Sequence, residues 1–238
     1  MAKKGGSKSE KRLAASKAIA MARKEHAWHI KTRPGPHKKE NSLALSFVLR
    51  DLLAIAKNAK EAKNILSKGL VQVDGKTAKN AKRPVGLFDL ITIVPEKKTF
   101  RILFNKKGKI MVKEEESKQN EKICKVIGKK AIAKKEIQLT TNDGRTIKEK
   151  KTDVSVGDSL LIQVPEQKVL KVLRQQPKKT VLVIAGKHIG DVAKVKELQA
   201  GTMNREKLLT LETKEGEFKT VESNIVVVGD EKPVIKVE

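Results

Sequence analysis

An excess of positive charge sets the first limit on this chain: 53 Lys and Arg stand against 28 Asp and Glu, a net +25 over 238 residues. Self-repulsion on that scale opposes a compact state unless a polyanion neutralises it. Apolar material is modest, with 38% hydrophobic residues and six aromatics, five Phe and one Trp. Several small aliphatic cores therefore fit better than one large core. Nucleic acid is the first partner class this composition implies, and an anionic membrane surface the second.

The charge is unevenly placed. Residues 1–42 carry net +9, 43–94 net +5, 95–176 net +10 and 177–238 only +1. The last block divides again, with +4 over 177–196 and −3 over 197–238. A protein lying with one side on nucleic acid has this asymmetry. No apolar run approaches the 18 or so residues of a transmembrane helix, and no apolar signal core follows the first residues. A single cysteine, Cys124, leaves neither a disulfide framework nor a Cys-rich zinc module. The expectation is a cytoplasmic protein.

Residues 1–42 read as a basic N-terminal extension, with a short Ala-Lys helix over Ser7 to Arg23 and an extended Pro-rich strap over Thr32 to Lys39. Trp28 has two readings, stacking on a base or plugging a neighbouring domain. Residues 43–94 read as a compact module. Leu45, Val48, Leu49, Leu52, Leu53 and Ala56 form one helical face, with Ser42 placed as its cap. A second helix runs from about Ala59 to Lys68, buries Ala62, Ile65 and Leu66, and stops at Gly69. A strand then enters an Asp74-Gly75 turn, and Leu90 to Val94 closes the module. Residues 95–176 read as a central β domain, with a Lys-crowded turn over Asn105 to Gly108 and a hairpin signal at Asn142-Asp143-Gly144. Residues 177–238 read as short strands with Gly-rich turns, a small barrel.

The pattern Ala62-x2-Ile65-Leu66-x2-Gly69-x-Val71-x-Val73-Asp74-Gly75-Lys76 resembles the S4 RNA-binding module. Val181 to Leu198, with Gly186-Lys187-His188-x-Gly190, resembles the KOW motif, and departs from it in having Ala193 where a second glycine often sits. In order along the chain, Arg33-Pro34-Gly35-Pro36-His37, Leu49-Arg50-Asp51-Leu52-Leu53, Pro84-Val85-Gly86-Leu87-x-Asp89, Pro165-Glu166-Gln167-Lys168 and Gly229-Asp230-Glu231-Lys232-Pro233 resemble the archaeal and eukaryotic-type S4 ribosomal proteins of the small subunit. The short tail and the free use of Lys look more archaeal. The resemblance implies an α+β, multi-domain chain: a basic extension, an S4-like module, a central mainly-β domain and a C-terminal SH3-like KOW barrel. It implies small-subunit ribosomal RNA and neighbouring ribosomal proteins as partners, with no membrane, small-molecule substrate or cofactor.

Phosphate contact needs cations at phosphate spacing. The extension offers Lys3, Lys4, Lys8, Lys11, Arg12, Arg23, Lys24, Lys31, Arg33, His37, Lys38 and Lys39. The S4-like module adds Lys60, Lys63 and Lys68 on its second helix, then Lys76, Lys79, Lys82 and Arg83. Arg50 either contacts RNA or pairs with Asp51. Lys106, Lys107, Lys187 and His188 complete the set. In the Gly186–Gly190 turn, the glycines serve either close backbone approach to phosphate or ordinary hairpin geometry.

Six aromatics cannot furnish a stacking platform in every domain, so recognition by RNA shape and backbone is expected. His26-x2-His29 is a permitted metal spacing without enough further ligands for a zinc site. Gly75-Lys76-Thr77 lacks the P-loop glycine, since Leu70 stands there. Glu114-Glu115-Glu116 reads as a solvated face. No catalytic constellation stands out. Two rivals remain. In an RNA-modifying enzyme, only about 80 residues outside the two recognised modules would be left for chemistry, fewer than a usual domain. A KOW-bearing factor that visits the ribosome would be sub-stoichiometric on small subunits.

Overall fold

The computed structural model describes residues 9–115, 120–132, 136–150, 153–202, 205–213 and 216–235. Lys3, Lys4, Lys8 and Glu116 lie outside these. The chain divides into two compact units: residues 1–103 with 109–116, and residues 104–108 with 117–238. Strands dominate and helices are few, which meets the expected mixed, multi-part architecture in its coarse form.

In the first unit, β1 (Ser9–Lys11) pairs antiparallel with β2 (Trp28–Ile30), and β3 (Ser42–Ala44) then leads directly into α1 (Leu45–Phe47). That turn of helix widens into a π-helical stretch over Val48–Leu52. α2 (Ala59–Ser67) follows, then β4 (Val71–Val73), β5 (Lys76–Thr77), β6 (Pro84–Gly86), β7 (Leu90–Ile93), β8 (Lys98–Phe104) and β9 (Ile110–Glu115). The main sheet has the order β5-β4-β7-β8-β9, while β3 pairs with β6. Leu43, Leu45, Phe47, Val48, Leu49, Leu66, Val71 and Ile91 form the buried aliphatic core.

Two helix expectations are corrected. Ser42 is not a cap, because it sits in β3 opposite Gly86. The helix begins three residues later, where the Leu45 and Ser46 N–H groups donate to the Arg83 and Ala81 carbonyls at 2.9 and 3.0 Å. Those bonds satisfy donors that a capping side chain would otherwise take. The helix also stops early, since Ala54 has φ 52°. Over Ser7 to Arg23, the described residues form β1 and a single 3-10 turn at Arg12–Ala14 instead of an Ala-Lys helix. Arg23 holds that loop together, donating to the carbonyls of Arg12, Ala15 and Ser16 at 3.1, 2.8 and 2.8 Å.

The second unit carries two five-stranded antiparallel sheets. The first has the order β12-β11-β10-β13-β14 and is built from β10 (Glu121–Ala131), β11 (Glu136–Thr141), β12 (Thr146–Lys150), β13 (Ser159–Gln163) and β14 (Lys168–Leu173). The second has the order β18-β17-β16-β15-β19, from β15 (Thr180–Val183), β16 (Val192–Gln199), β17 (Leu208–Thr213), β18 (Gly216–Val221) and β19 (Ile225–Gly229). Register shifts interrupt β10 between Val126 and Gly128 and β16 between Val195 and Glu197. Bulges of this kind bend strands and let a sheet curl.

Lys125 ties the two sheets. Its ammonium, on β10, donates to the Glu222 carbonyl and, at 2.8 Å, to the Ile225 carbonyl. The Val227 N–H donates to the Ser159 hydroxyl at 3.1 Å beside it. Burial lowers the Lys125 pKa to about 8, against the opposing pull of Glu222 and Glu206. Between pH 8 and about 10.4 the unfolded chain therefore holds a proton that the folded chain has lost. Stability should rise with pH across that window, by up to roughly 3 kcal/mol from this group, and carry its full penalty below it. Urea unfolding of the parent and Lys125→Met at pH 7.5 and pH 10 checks this. The parent should gain more on raising the pH, and equal gains would exclude Lys125 as the source.

Candidate nucleic-acid interface

α2 separates its residues cleanly. Asn58 caps it, accepting from the Glu61 N–H at 2.9 Å. Ala62 and Leu66 are buried, while Lys60, Lys63, Asn64 and Ser67 face solvent. Gly69, at φ 74°, ends the helix. A Cβ at Gly69 would stand 3.3 Å from the Thr77 methyl, so the helix end abuts the β4–β5 hairpin. That hairpin turns through Asp74 and Gly75, both at positive φ, and the Asp74 carboxylate accepts from the Leu90 N–H at 3.0 Å. Lys68 at the helix end is thereby brought beside the hairpin that carries Lys76, with Lys79 following it and Lys60 and Lys63 further back on α2. All five are exposed, and none is ion-paired among the described residues. Exposed Lys57 belongs with them, and its i, i+3 spacing to Lys60 is the sequence signal for it. Lys82 and Arg83 are half-buried, and their carbonyls accept from Arg33 and Leu45.

The N-terminal cations divide into two groups. Lys11, Lys24, Arg33 and Lys38 are exposed and Lys31 half-exposed. Lys39 is exposed but bonds Glu10 at 2.5 Å. Arg12 is buried, donating to the Ala22 carbonyl at 2.6 Å and standing 3.8 Å from Glu25. Arg23 is committed to the loop carbonyls described above. His37 is turned inward, with Nε2 2.8 Å from Asp89. A Cβ at Gly86 would stand 2.5 Å from the His37 ring, and one at Gly35 2.6 Å from Pro84. The Arg33–His37 strap and the Pro84–Asp89 segment thus form one clasp, whose close approaches need glycine at positions 35 and 86. These positions take Arg12, Arg23 and His37 out of the solvent-facing set. Trp28 does not plug its own unit: it is 59% exposed. Neighbouring His29 is buried, edge-on to Phe47 with centroids 5.0 Å apart, and desolvation lowers its pKa against the pull of Glu10.

Arg50 is half-buried and pairs with Asp51 at 2.7 Å, both side chains keeping about a third of their surface in solvent. In the second unit, Gly190 has φ 91° and is buried, and a Cβ there would meet the Asn105 carbonyl oxygen at 2.4 Å. Its missing side chain therefore admits the 105–108 turn, where the sequence left phosphate approach open. That contact sets exposed Lys106 and Lys107 beside exposed Lys187. His188 is engaged by the protein, stacked on Phe218 with centroids 4.0 Å apart and with Nδ1 3.4 Å from Asp191. Among the described residues, no group of three or more His, Cys, Asp and Glu could hold a metal ion, and no helix is long and apolar enough to cross a membrane.

Residues 96–169 match the ribosomal family S4e, and residues 4–40 match the RS4NT (NUC023) domain. The small ribosomal subunit protein eS4 of Methanocaldococcus jannaschii is 40% identical over 245 residues, covering 99% of this chain and 100% of the relative. That of Methanosphaera stadtmanae is 40% identical over 236 residues, covering 99% and 98%. The crystal structure of the 30S ribosomal protein S4e from Thermoplasma acidophilum aligns with a TM-score of 0.69 at 30% identity, over 81% of this chain and 97% of that one. Likeness along 99% of the chain in sequence, supported by the fold over 81% of it, places this protein in the S4e family of small-subunit ribosomal proteins.

Proposed function

We propose that this protein is held on small-subunit ribosomal RNA by an electrostatic, shape-directed interface centred on α2 and the β4–β5 hairpin. As an S4e protein it is a structural constituent of the small subunit of the cytoplasmic ribosome and not an enzyme. Residues 43–94 act as the S4-like module of that interface, with residues 1–42 as a basic extension beside it. Residues 95–176 act as the central β part, of which β8 and β9 extend the sheet of the first unit. Residues 177–238 act as the KOW-like, SH3-like part, meeting RNA through Lys187, with Lys106 and Lys107 of the neighbouring 105–108 turn beside it. Neighbouring ribosomal proteins cover the acidic end of the chain.

One observation carries the reading. Lys60, Lys63, Lys68, Lys76 and Lys79 are exposed and have no ion pair among the described residues, on a helix and a turn brought together by the Gly69–Thr77 contact. A solvated face normally mixes its signs, and an unpaired cation cluster on rigid elements suits a phosphate backbone. Lys60→Glu with Lys63→Glu should lower affinity for small-subunit RNA by about tenfold or more at physiological salt. The thermal midpoint should hardly move, because both side chains are in water. Filter binding and thermal denaturation measure the two effects. Unchanged affinity would place the RNA face elsewhere.

A further inference from the structure

Of the chain's six aromatic residues, five are accounted for by the protein itself. Phe47, Phe88 and Phe104 are buried, Phe100 is half-buried in β8, and Phe218 stacks on His188. Trp28 alone is exposed among the described residues, at 59%. It is not on a floppy end, because β2 pairs with β1 in the register Lys11↔Trp28, Glu10↔His29 and Ser9↔Ile30. Alternation along the strand turns His29 inward against Phe47 and leaves the indole on the outer side. Side chains directly opposite in an antiparallel pair lie about 5 Å apart at Cβ, so Lys11 leaves the strand on the same face as the indole and within reach of it.

The surroundings select among partners. Residues 9–42 hold nine basic and three acidic residues. Two of the acids are already matched: Glu10 by Lys39, and Glu25 by Arg12. Lys11, Lys24 and Lys38 remain exposed around Trp28 in sequence. An indole in so positive a setting is poorly matched to an apolar protein pocket and well matched to a base whose phosphates need counter-ions.

We infer that Trp28 is a nucleobase-stacking site: one unpaired base of the ribosomal RNA lies on the indole face, and Lys11 holds an adjoining phosphate. The inference rests on the RNA-binding reading above and adds to it a single-stranded contact, where the rest of the interface reads duplex shape and backbone. Unpaired bases splayed from loops and bulges are the usual ligands of exposed aromatic side chains.

Trp28 is the only tryptophan, so its fluorescence reports this site alone. The full chain is titrated with protein-free small-subunit RNA of its own organism, and affinity is measured in parallel by filter binding. Emission should be quenched in step with binding. Trp28→Leu and Trp28→Ala should weaken binding by about tenfold to a hundredfold, with Trp28→Phe closer to the parent. Thermal midpoints should be unchanged, since the side chain is in water. Leucine keeps apolar bulk without a π face, so parental affinity in Trp28→Leu would overturn the proposal. If the parent binds RNA with steep salt dependence and no quenching, stacking alone fails. If the parent shows no preference for its RNA over an unrelated RNA of equal length, both readings fail together.

Discussion

Asp143→Ala should destabilise the protein by about 3–5 kcal/mol, the loss expected when one partner of a buried ion pair is removed. The Asp143 carboxylate is buried at the turn between β11 and β12. It receives the Lys122 ammonium at 3.0 Å, the Arg145 guanidinium at 2.7 Å and the Thr141 hydroxyl at 2.5 Å, with the Cys124 thiol at 3.4 Å. Lys122, whose ammonium this carboxylate pairs, is itself fully buried in β10. Burial alone would raise the Asp143 pKa, but Lys122, Thr141 and Arg145 outweigh it and hold the carboxyl well below the usual range. A carboxyl depressed in the folded state stabilises fully above its unfolded pKa of about 3.9, and that stability drains away as the pH falls further. Urea unfolding at pH 7 and pH 3.5 should show the Asp143→Ala deficit shrinking in acid. Replacing both partners, Lys122→Met with Asp143→Leu, should recover most of the loss at pH 7. A double variant as unstable as the single one would mean that Lys122 is not the group left stranded.

That network also shows where the sequence is hard to read. Strand β10 buries Lys122 and Lys125 in its first half and exposes Ile127 at a bulge. The charges stand where a period-two pattern calls for apolar residues, so the strand is masked. Its partners, Asp143 and the carbonyls of Glu222 and Ile225, lie from about 20 to 100 residues away. By contrast, α2 and the β4–β5 hairpin are almost fully legible. Asn58, Ala62, Leu66, Gly69 and Asp74-Gly75 each act locally, through a cap, an apolar face, a left-handed stop and a tight turn. The helix at Leu45 was legible in phase but not in extent. Its start depends on β3 pairing with Pro84–Gly86, some 40 residues on, and periodicity does not see a distant strand.

The same division holds among the candidate contacts. Lys60, Lys63, Lys68, Lys76 and Lys79 could be placed because helix phase and turn chemistry fix which way they face. Arg12, Arg23, His37 and His188 look identical to them in sequence, yet their partners are loop carbonyls, Asp89 and the Phe218 ring. Sequence shows a cation, and only the fold shows whether an acceptor reaches it first. Gly86 and Gly190 follow the same logic, since the His37 ring and the Asn105 carbonyl occupy the space where their side chains would be.

The most direct test of the whole account is the salt dependence of binding to protein-free small-subunit RNA. If roughly ten basic residues meet phosphates, log affinity should fall against log salt with a slope of about −7 to −9. Changing Lys60, Lys63, Lys68, Lys76 and Lys79 together to Gln should flatten that slope by about 3.5 to 4.5 units, since each neutralised phosphate contributes about 0.7 to 0.9. Changing Lys196, already paired with Glu217, and Lys219, in the net-acidic 197–238 region, should leave it unaltered. A slope near −2 for the parent, or a five-lysine variant as salt-sensitive as the parent, would contradict an interface built on α2 and its hairpin.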